Sequence, residues 1–258
     1  MRNRIYFFTG TGNSLKIAKD IAKVLPDCEL VAIYKETVLE IPSGYERIGF
    51  VFPNYAGGPP SMVANFVRNM KFLEQSDTYI FCVATYGGNA GSVISQMGNL
   101  LKQRGLQLNY GAKIMSYPNA VTAYPMFIGV KFFTKMAKIN SKPVIKSIVT
   151  KQQKPIPTLK EPAKKRYDAF IATIHDIDSG YHVNNDCISC GICLNVCPAK
   201  NITLVNGTPV FHHQCESCMA CIQHCPKRAI NYKNKTQNRG RYAHPHIGHK
   251  VISQYYLR

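Results

Sequence analysis

Near its N-terminus the chain reads Ile5-Tyr6-Phe7-Phe8-Thr9-Gly10-Thr11-Gly12-Asn13-Ser14, an apolar run followed by glycines and hydroxyl side chains. A helical pattern follows directly. A strand that leads through such a loop to a helix N-terminus can offer backbone N–H groups and hydroxyls to a phosphate. The loop contains no basic residue, and it matches neither the P-loop pattern nor G-x-G-x-x-G. It therefore predicts an anion site after the first strand, with a plain helix cap as the alternative.

Strand-like and helical patterns alternate over the first ~115 residues, which predicts an α/β fold: a parallel sheet with helices on both faces. The predicted strands are Arg4–Phe8, Leu30–Ile33, Arg47–Phe52, Thr78–Ala84 and Leu108–Met115. The predicted helices are Asn13–Val24, Pro60–Asn69 and Gly91–Arg104. Such sheets bind ligands beyond the carboxyl ends of their strands, so the loops after strands one, three and four are the candidate site.

The other two loops of this candidate site each place an aromatic ring beside glycines. The candidate contacts are Asn54, Tyr55, Ala56, Gly57 and Gly58 after strand three, and Thr85, Tyr86, Gly87, Gly88, Asn89 and Gly91 after strand four. A flat isoalloxazine ring needs stacking partners and close backbone approach. Tyr55 and Tyr86 are therefore the candidate walls of a flavin site, with ordinary packing or exposure as the alternative for either ring alone.

Eight of the ten cysteines form a 28-residue internal repeat with the spacing C-x2-C-x2-C-x3-C-P in both copies. The copies contain Cys187, Cys190, Cys193 and Cys197, then Cys215, Cys218, Cys221 and Cys225. In this motif three cysteines bind one [4Fe–4S] cluster and the fourth binds the other cluster. The pattern therefore predicts one cluster on Cys187, Cys190, Cys193 and Cys225, and a second on Cys215, Cys218, Cys221 and Cys197. Zinc is not favoured, because its sites usually show two C-x-x-C pairs.

The loop 9–14 resembles the phosphate loop of flavodoxins, and the cysteine repeat resembles the bacterial two-cluster ferredoxins. The order of the two modules is similar to that of fused flavodoxin–ferredoxin proteins of anaerobic bacteria and archaea. The resemblance covers roughly residues 1–115 and 181–232, and it covers 117–178 poorly. It implies an FMN-binding flavodoxin-like domain, taken as 1–150, and a small α+β 2[4Fe–4S] ferredoxin domain at 181–232. The prolines and the composition predict a linker and short helix at 151–180 and a basic C-terminal tail at 233–258. The chain contains no Trp, so the tryptophan that stacks on the flavin in some flavodoxins is absent.

These cofactors favour an electron carrier that relays single electrons between FMN, the two clusters and a redox partner protein. The alternative is a flavin-dependent oxidoreductase that reduces a small acceptor such as a quinone, with the segment 117–178 shaping its substrate pocket. A docking subunit of a larger redox complex is a third hypothesis. No Ser/His/Asp or Cys/His arrangement and no paired carboxylates occur near the loops, so no catalytic side chain is predicted.

The chain is strongly basic, with a formal charge of +18. Two clusters and a phosphate would lower this to roughly +12. Eleven Lys/Arg and one acid lie between Lys131 and Arg166. A solvated basic face is the simplest interpretation, and docking to an acidic redox partner or to an anionic membrane surface are the alternatives. Nucleic acid is not favoured, because no recognised binding motif accompanies the charge.

The remaining features give weaker expectations. No signal peptide or apolar span is evident, which favours a reducing cytoplasmic location. Residues Tyr124–Thr150 are expected to be helical, and a short helix is expected at Lys164–Asp176. Met126–Met136 is expected in the core or a domain interface, with membrane contact as the alternative. Cys28 and Cys82 are expected to be buried apolar residues. His224 is expected at the surface or in local packing. The tail with His244, His246 and His249 is expected to be flexible, with Tyr242 and Pro245 as possible anchors.

Overall fold

The computed structural model describes residues 2–72 and 77–257. Of the predicted domains, Met1, residues 73–76 and Arg258 lie outside the described residues. The strands are β1 Arg2–Phe7, β2 Cys28–Ala32, β3 Glu40–Ile41, β4 Tyr45–Pro53, β5 Lys71–Phe72, β6 Tyr79–Tyr86, β7 Tyr110–Met115, β8 Tyr181–Val183, β9 Ile202–Val205, β10 Thr208–Phe211 and β11 Ile230–Tyr232. The helices are α1 Asn13–Ala22, α2 Ser61–Asn69, α3 Val93–Gln103, α4 Val130–Val149, α5 Glu161–Ala172, α6 Ile192–Asn195, α7 Ala220–His224 and α8 His249–Ser253.

The N-terminal half is built on a five-stranded parallel sheet in the order β2-β1-β4-β6-β7. Ignoring the two-residue strands β3 and β5, this is the order 2-1-3-4-5 of the flavodoxin-like doubly wound fold. The central strands are almost continuously apolar because helices cover both of their faces. The predicted fold class is confirmed. The topological switch point lies between β1 and β4, where their carboxyl ends diverge into separate loops.

The two faces of the sheet have separate cores. Helices α1 and α4 cover one face, where Leu15, Ile21 and Ile148 are fully buried. Helices α2 and α3 cover the other face, with Val63 and Met97 among the fully buried residues. Cys82 is fully buried on this second face, as expected, whereas Cys28 is only half-buried at the edge strand β2.

The cysteine repeat folds as a small ferredoxin-like unit with two antiparallel strand pairs. Strand β8 pairs with β11, and β9 pairs with β10 in a hairpin. The core of this unit contains Val121, Ile222 and Ile230, which pack with cysteines of the repeat and are nearly or fully buried. Val121 belongs to the segment that follows β7, the last strand of the large sheet. The core of the cysteine unit therefore includes a residue of the N-terminal half, and the two units pack directly against each other.

The expectation of a flexible tail is wrong. Tyr242 and Ile247 are buried, and Tyr256 is buried to 1% exposure against the α1 side of the sheet. Tyr242 is an anchor, as suggested, because its hydroxyl donates a 2.6 Å hydrogen bond to Oδ1 of Asn13. The pattern does not reveal this packing because α8 is only five residues long and the other buried residues are separated by polar ones.

The segment 126–136 was expected in the core or an interface, and most of it is not there. Phe127, Phe132 and especially Ile128 are exposed. The buried stripe of α4 comes later, from Ser141, Val144 and Ile148. The helix starts at Val130 rather than near Tyr124, since Pro125 and Gly129 interrupt it. No helix of the described residues is long and apolar enough to cross a membrane.

Candidate functional site

A cavity of ≈ 350 Å³ opens at the carboxyl ends of β1, β4 and β6. Most of the predicted contacts line it together: Thr9, Gly10, Thr11, Asn13, Ser14, Asn54, Tyr55, Ala56, Thr85, Tyr86 and Gly87. The structure thus brings the three predicted loops to one place. A larger cavity of ≈ 700 Å³ between α3 and residues 153–159 has none of these loops in its lining.

The loop 9–14 lines the cavity, and several of its backbone amides have no hydrogen-bond acceptor among the described residues. Gly12 donates its amide to the Thr9 hydroxyl. The amides of Thr11, Asn13 and Ser14 donate no hydrogen bond within residues 2–72 and 77–257. Free amides at the N-terminus of α1 are the donors that a phosphate requires, so the loop fits the predicted anion.

The carbonyl oxygens of the same loop are held by the C-terminal half of the chain. The Thr9 carbonyl accepts from the Tyr256 hydroxyl at 3.0 Å, and the Thr11 carbonyl accepts from the His244 amide at 2.8 Å. The Gly10 carbonyl lies 3.2 Å from Nε2 of His224, which confirms local packing for that histidine. Hydrogen bonds to three successive carbonyls thus fix the backbone of this loop and leave its unpaired amides available to a ligand.

The hydroxyls of the loop are partly engaged with neighbouring segments. Ser14 shares a 2.8 Å hydrogen bond with Thr85 at the end of β6, and both hydroxyls are buried. Thr11 Oγ1 accepts from the side-chain amide of Asn119. These contacts tie the loops after β1, β6 and β7 into one rim around the cavity.

Tyr55 stands where the cavity meets the cysteine unit. Its ring packs edge-on against Phe170 at 6.3 Å, and its hydroxyl donates to the Ser217 carbonyl at 3.2 Å. Burial raises the pKa of this phenol well above its usual value, so the hydroxyl remains a donor. Tyr86 is half-buried and lines the same cavity. Both predicted rings are therefore placed to contact a flat ligand.

Some predicted contacts do not line the cavity and have other surroundings. Gly12 packs against His244 and Ile247, and a Cβ on Gly58 would lie 2.3 Å from the Tyr167 ring. Gly57 and Gly91 approach each other, and Gly88 and Asn89 are exposed. These glycines allow close packing or turns around the site.

The first loop touches the second cysteine loop directly. A Cβ added to Gly10 would lie 1.9 Å from the Cys218 carbonyl oxygen, so no larger residue fits there. Ser217, Cys218 and Met219 also line the cavity. One cysteine loop is therefore part of the wall of the candidate flavin site.

Several thiols of the repeat raise one another's pKa, mostly within the two predicted ligand sets, although Cys193 also acts on Cys221. Burial raises the pKa of Cys193 to about 11, and the next contributions that raise it come from Cys225, Cys190 and Cys187. Burial raises the pKa of Cys215 to about 12, and Cys197 is among the charges that add to it. The pKa of Cys218 is also raised, mainly by burial and then by the charges of Cys197 and Cys215. Thiolates crowded in this way need a bound cation, which an iron–sulfur cluster supplies.

The two copies of the repeat also share a backbone conformation. Left-handed residues recur at the same positions: Ser189 with Ser217, Gly191 with Met219, and Lys200 with Arg228. The two copies also make the same hydrogen bond from a backbone amide to a cysteine sulfur. The Asn201 amide lies 3.4 Å from Sγ of Cys197, and the Ala229 amide lies 3.3 Å from Sγ of Cys225. Amide donors to sulfur stabilise thiolate ligands and tune cluster potentials.

No three His, Cys, Asp or Glu residues in the described part of the chain converge closely enough to hold a single metal ion. A [4Fe–4S] cube does not require this, because each of its four irons takes one thiolate. The lack of such a group among the described residues therefore does not argue against a cube.

Residues 186–230 match the family model of the 4Fe-4S dicluster domain. Solved structures are similar to the flavodoxin-like part at low identity. A Lactobacillus acidophilus flavoprotein in complex with FMN is 14% identical, over 43% of this chain and 92% of its own, with a TM-score of 0.34. The rubredoxin oxygen:oxidoreductase of Desulfovibrio gigas is 13% identical, over 58% of this chain and 36% of its own, with a TM-score of 0.40. An azoreductase of Bacillus anthracis is 10% identical, over 57% of this chain and 98% of its own, with a TM-score of 0.39. The comparison with curated proteins found no match.

About half of the residues that line the cavity are not among the predicted contacts. The loop after β7 contributes Ser116, Tyr117, Pro118, Asn119 and Ala120, and more distant segments contribute Thr122, Tyr124, Phe170 and Ile177. The loop after β7 begins at the same edge of the sheet as the three predicted loops, because β7 is parallel to the other strands. The parallel topology could therefore have indicated that this loop lines the site. Nothing in the local pattern indicates Phe170 or Ile177, which reach the cavity only through tertiary packing.

Proposed function

We propose that the protein is an electron carrier in which FMN, bound in the cavity at the sheet edge, exchanges electrons with two [4Fe–4S] clusters bound by the cysteine repeat. One observation carries the proposal: Cys218, a candidate cluster ligand, lines the same cavity as the glycine–hydroxyl loop and both tyrosines. A cluster on this loop would adjoin the flavin. The flavin can take up one or two electrons, and each cluster exchanges one at a time.

The chain's own residues suit FMN. The free amides of the loop 9–14 would hold the phosphate without a basic side chain, and Tyr55 and Tyr86 would contact the ring. Carbonyl and amide groups of the loops 54–57 and 85–87 would meet its polar edge. The packed C-terminal segment would keep the phosphate loop in its binding conformation.

The two clusters would have different positions in the relay. Cys215, Cys218, Cys221 and Cys197 would hold the cluster next to the cavity. Cys187, Cys190, Cys193 and Cys225 would hold the other, and Cys190 is exposed. We call the cluster next to the cavity the inner cluster and the other one the outer cluster. An external redox partner would exchange electrons with the outer cluster, and the flavin would exchange electrons with the inner cluster. A reducing compartment such as the cytoplasm suits eight metal-binding thiols.

The alternative is a flavin-dependent oxidoreductase that reduces a small acceptor such as a quinone. The observation in its favour is that Tyr124, Phe170 and Ile177, from the segment 117–178, line the cavity. A cavity of ≈ 350 Å³ is near the lower limit for one small-molecule ligand, so the flavin and a second enclosed substrate would compete for space. This favours the carrier. Saturable turnover of a quinone with reduced ferredoxin as donor would favour the enzyme instead.

Anaerobic purification with cofactors counted tests the proposal. About eight irons, eight sulfides and one FMN per chain are expected. Fewer than about five irons would contradict two clusters. A flavin-free protein that fails to bind added FMN would contradict the flavin half independently.

A matched pair of variants tests the crossed ligation and the order of the clusters. Cys197→Ser should damage the inner cluster, and so shift the visible spectrum and midpoint potential of the flavin. Cys225→Ser sits at the equivalent place in the repeat and should damage the outer cluster with a smaller effect on the flavin. Loss confined to the cluster of Cys187, Cys190 and Cys193 in the Cys197→Ser protein would refute crossed ligation.

A further inference from the structure

The outer side of α4 and the loop before it carry apolar side chains in solvent. Ile128 is 102% exposed, Phe132 61%, Phe127 52% and Ile139 46%. Phe132 and Ile139 are seven residues apart, which places them on the same side of the helix. Phe132 and Ile139 therefore form an exposed apolar strip along one side of α4, and the exposed Phe127 and Ile128 lie in the loop directly before the helix.

This strip is not the side that attaches the helix to the protein. The buried positions are Ser141, Val144 and Ile148, spaced three and four residues apart, and they pack with α1 and β7. Phe132 and Ile139 lie on the opposite side of the helix. The apolar strip is therefore in excess of what folding of α4 requires.

Lysines flank the strip along its whole length. They are exposed and none forms a salt bridge within the described residues: Lys131, Lys135, Lys138, Lys142 and Lys146. No Asp or Glu occurs between Asp77 and Glu161, so no acid on this helix or on the preceding loop offsets the charge. We call this surface the basic apolar face, defined by Phe127, Ile128, Phe132, Ile139 and the five lysines.

We propose that the basic apolar face binds an anionic lipid bilayer surface, with α4 lying in the plane of the interface. Lysines would contact anionic headgroups while Phe132, Ile139 and Ile128 enter the boundary between headgroups and acyl chains. Ile128 projects without any protein contact, as its complete exposure shows. A projecting apolar side chain suits a deformable lipid medium, whereas a protein partner would have to supply a matching pocket.

Vesicle co-sedimentation of the full chain tests this proposal. The probes are vesicles of phosphatidylcholine mixed with phosphatidylglycerol and vesicles of phosphatidylcholine alone. We expect binding to the anionic vesicles that weakens as salt is raised. The double variant Ile128→Ser/Phe132→Ser should reduce partitioning by about tenfold or more, and Lys135→Gln/Lys142→Gln should reduce it comparably.

Matched controls separate this face from general surface effects. Val38→Ser/Leu39→Ser removes two apolar side chains that are also exposed, and Lys23→Gln/Lys71→Gln removes two exposed lysines elsewhere. Both control proteins should bind like the unmodified chain. Far-UV circular dichroism checks that every variant is folded.

Three outcomes would overturn the proposal: no binding to anionic vesicles, equal binding to both kinds of vesicle, or equal loss in the control variants. Salt-sensitive binding to polyglutamate without vesicle binding would assign the face to an acidic polypeptide instead. The experiment requires neither flavin turnover nor electron transfer, so its result is independent of the proposed carrier function.

Discussion

The hydroxyl of Tyr256 donates a 3.0 Å hydrogen bond to the carbonyl oxygen of Thr9, across 247 residues of sequence. Both groups are buried. Together with the His244 amide on the Thr11 carbonyl, this bond attaches the last residues of the chain to the loop after the first strand. The candidate phosphate loop is thus held in place by the C-terminal segment, and its geometry depends on both ends of the protein.

Tyr256→Phe should weaken FMN binding, because it leaves the buried Thr9 carbonyl without its donor. A lost buried hydrogen bond costs about 1–3 kcal/mol, and part of this cost would appear as an increase of up to about tenfold in the Kd for FMN. Flavin fluorescence titration of the apoprotein measures it. Tyr232→Phe is the matched control, since that hydroxyl makes no hydrogen bond within the described residues. An unchanged Kd in Tyr256→Phe would show that the loop does not need this bond.

Gly10→Ala should impair both cofactor sites at once. The added methyl would meet the Cys218 carbonyl at 1.9 Å, so the phosphate loop and the inner cysteine loop would have to separate. We expect lower FMN and iron content after anaerobic purification. Gly248→Ala is the control, because a Cβ there meets nothing within 4 Å. Loss of FMN with full retention of iron would show that the cysteine loop is positioned independently.

The stability of the protein should fall as pH decreases, in part because of His244. Burial, then the nearby His246 and Lys16, lowers its pKa to about 4, with Asp20 acting in the opposite direction. In the unfolded chain the His244 imidazole binds a proton near pH 6.5, whereas in the folded protein it does so only near pH 4. The contribution of neutral His244 to folding stability is therefore complete above about pH 6.5 and is lost as the pH falls toward 4. At pH 5 the loss is about 2 kcal/mol.

Urea unfolding between neutral pH and about pH 5, followed by circular dichroism, measures the His244 contribution. The comparison is with His244→Asn, which keeps an acceptor for the His246 amide that now bonds Nδ1 at 3.2 Å. The variant should lose less stability on acidification than the unmodified protein. Parallel pH profiles would show that other groups, among them the acid-labile cluster ligands, account for the whole effect.

Arg47→Leu should destabilise the fold by about 2–4 kcal/mol. The guanidinium is 7% exposed and donates to the carbonyls of Ile148 and Val149 at 3.2 and 2.8 Å, at the C-terminus of α4. Without it the Val149 carbonyl loses this donor, the Ile148 carbonyl keeps only the Lys151 amide at 3.2 Å, and Glu46 loses one of its two cationic partners. Chemical unfolding gives the free energy. Arg68→Leu is the control, because Arg68 is exposed, and a similar cost for both would contradict a specific role of Arg47.

Local patterns predicted the five strands of the large sheet and the first three helices, because each depends on neighbouring residues. The segment Ile5–Ser14 contains strand, turn and helix start together, and the structure reproduces it. The cysteine spacing likewise specifies a loop that can place three thiols around one cube. The residues Thr11 and Tyr55 were found for the same reason: they follow strand ends directly.

Tertiary packing decided what no local pattern contains. The sequence by itself determined an α/β domain, a cysteine repeat and the loops that offer backbone amides. It did not show that Cys218 enters the wall of the cavity, that Tyr256 returns to Thr9, or that Phe132 remains in solvent. Periodicity and spacing record interactions over a few residues, whereas these three placements depend on how distant surfaces pack, and a side chain's identity does not specify its partner.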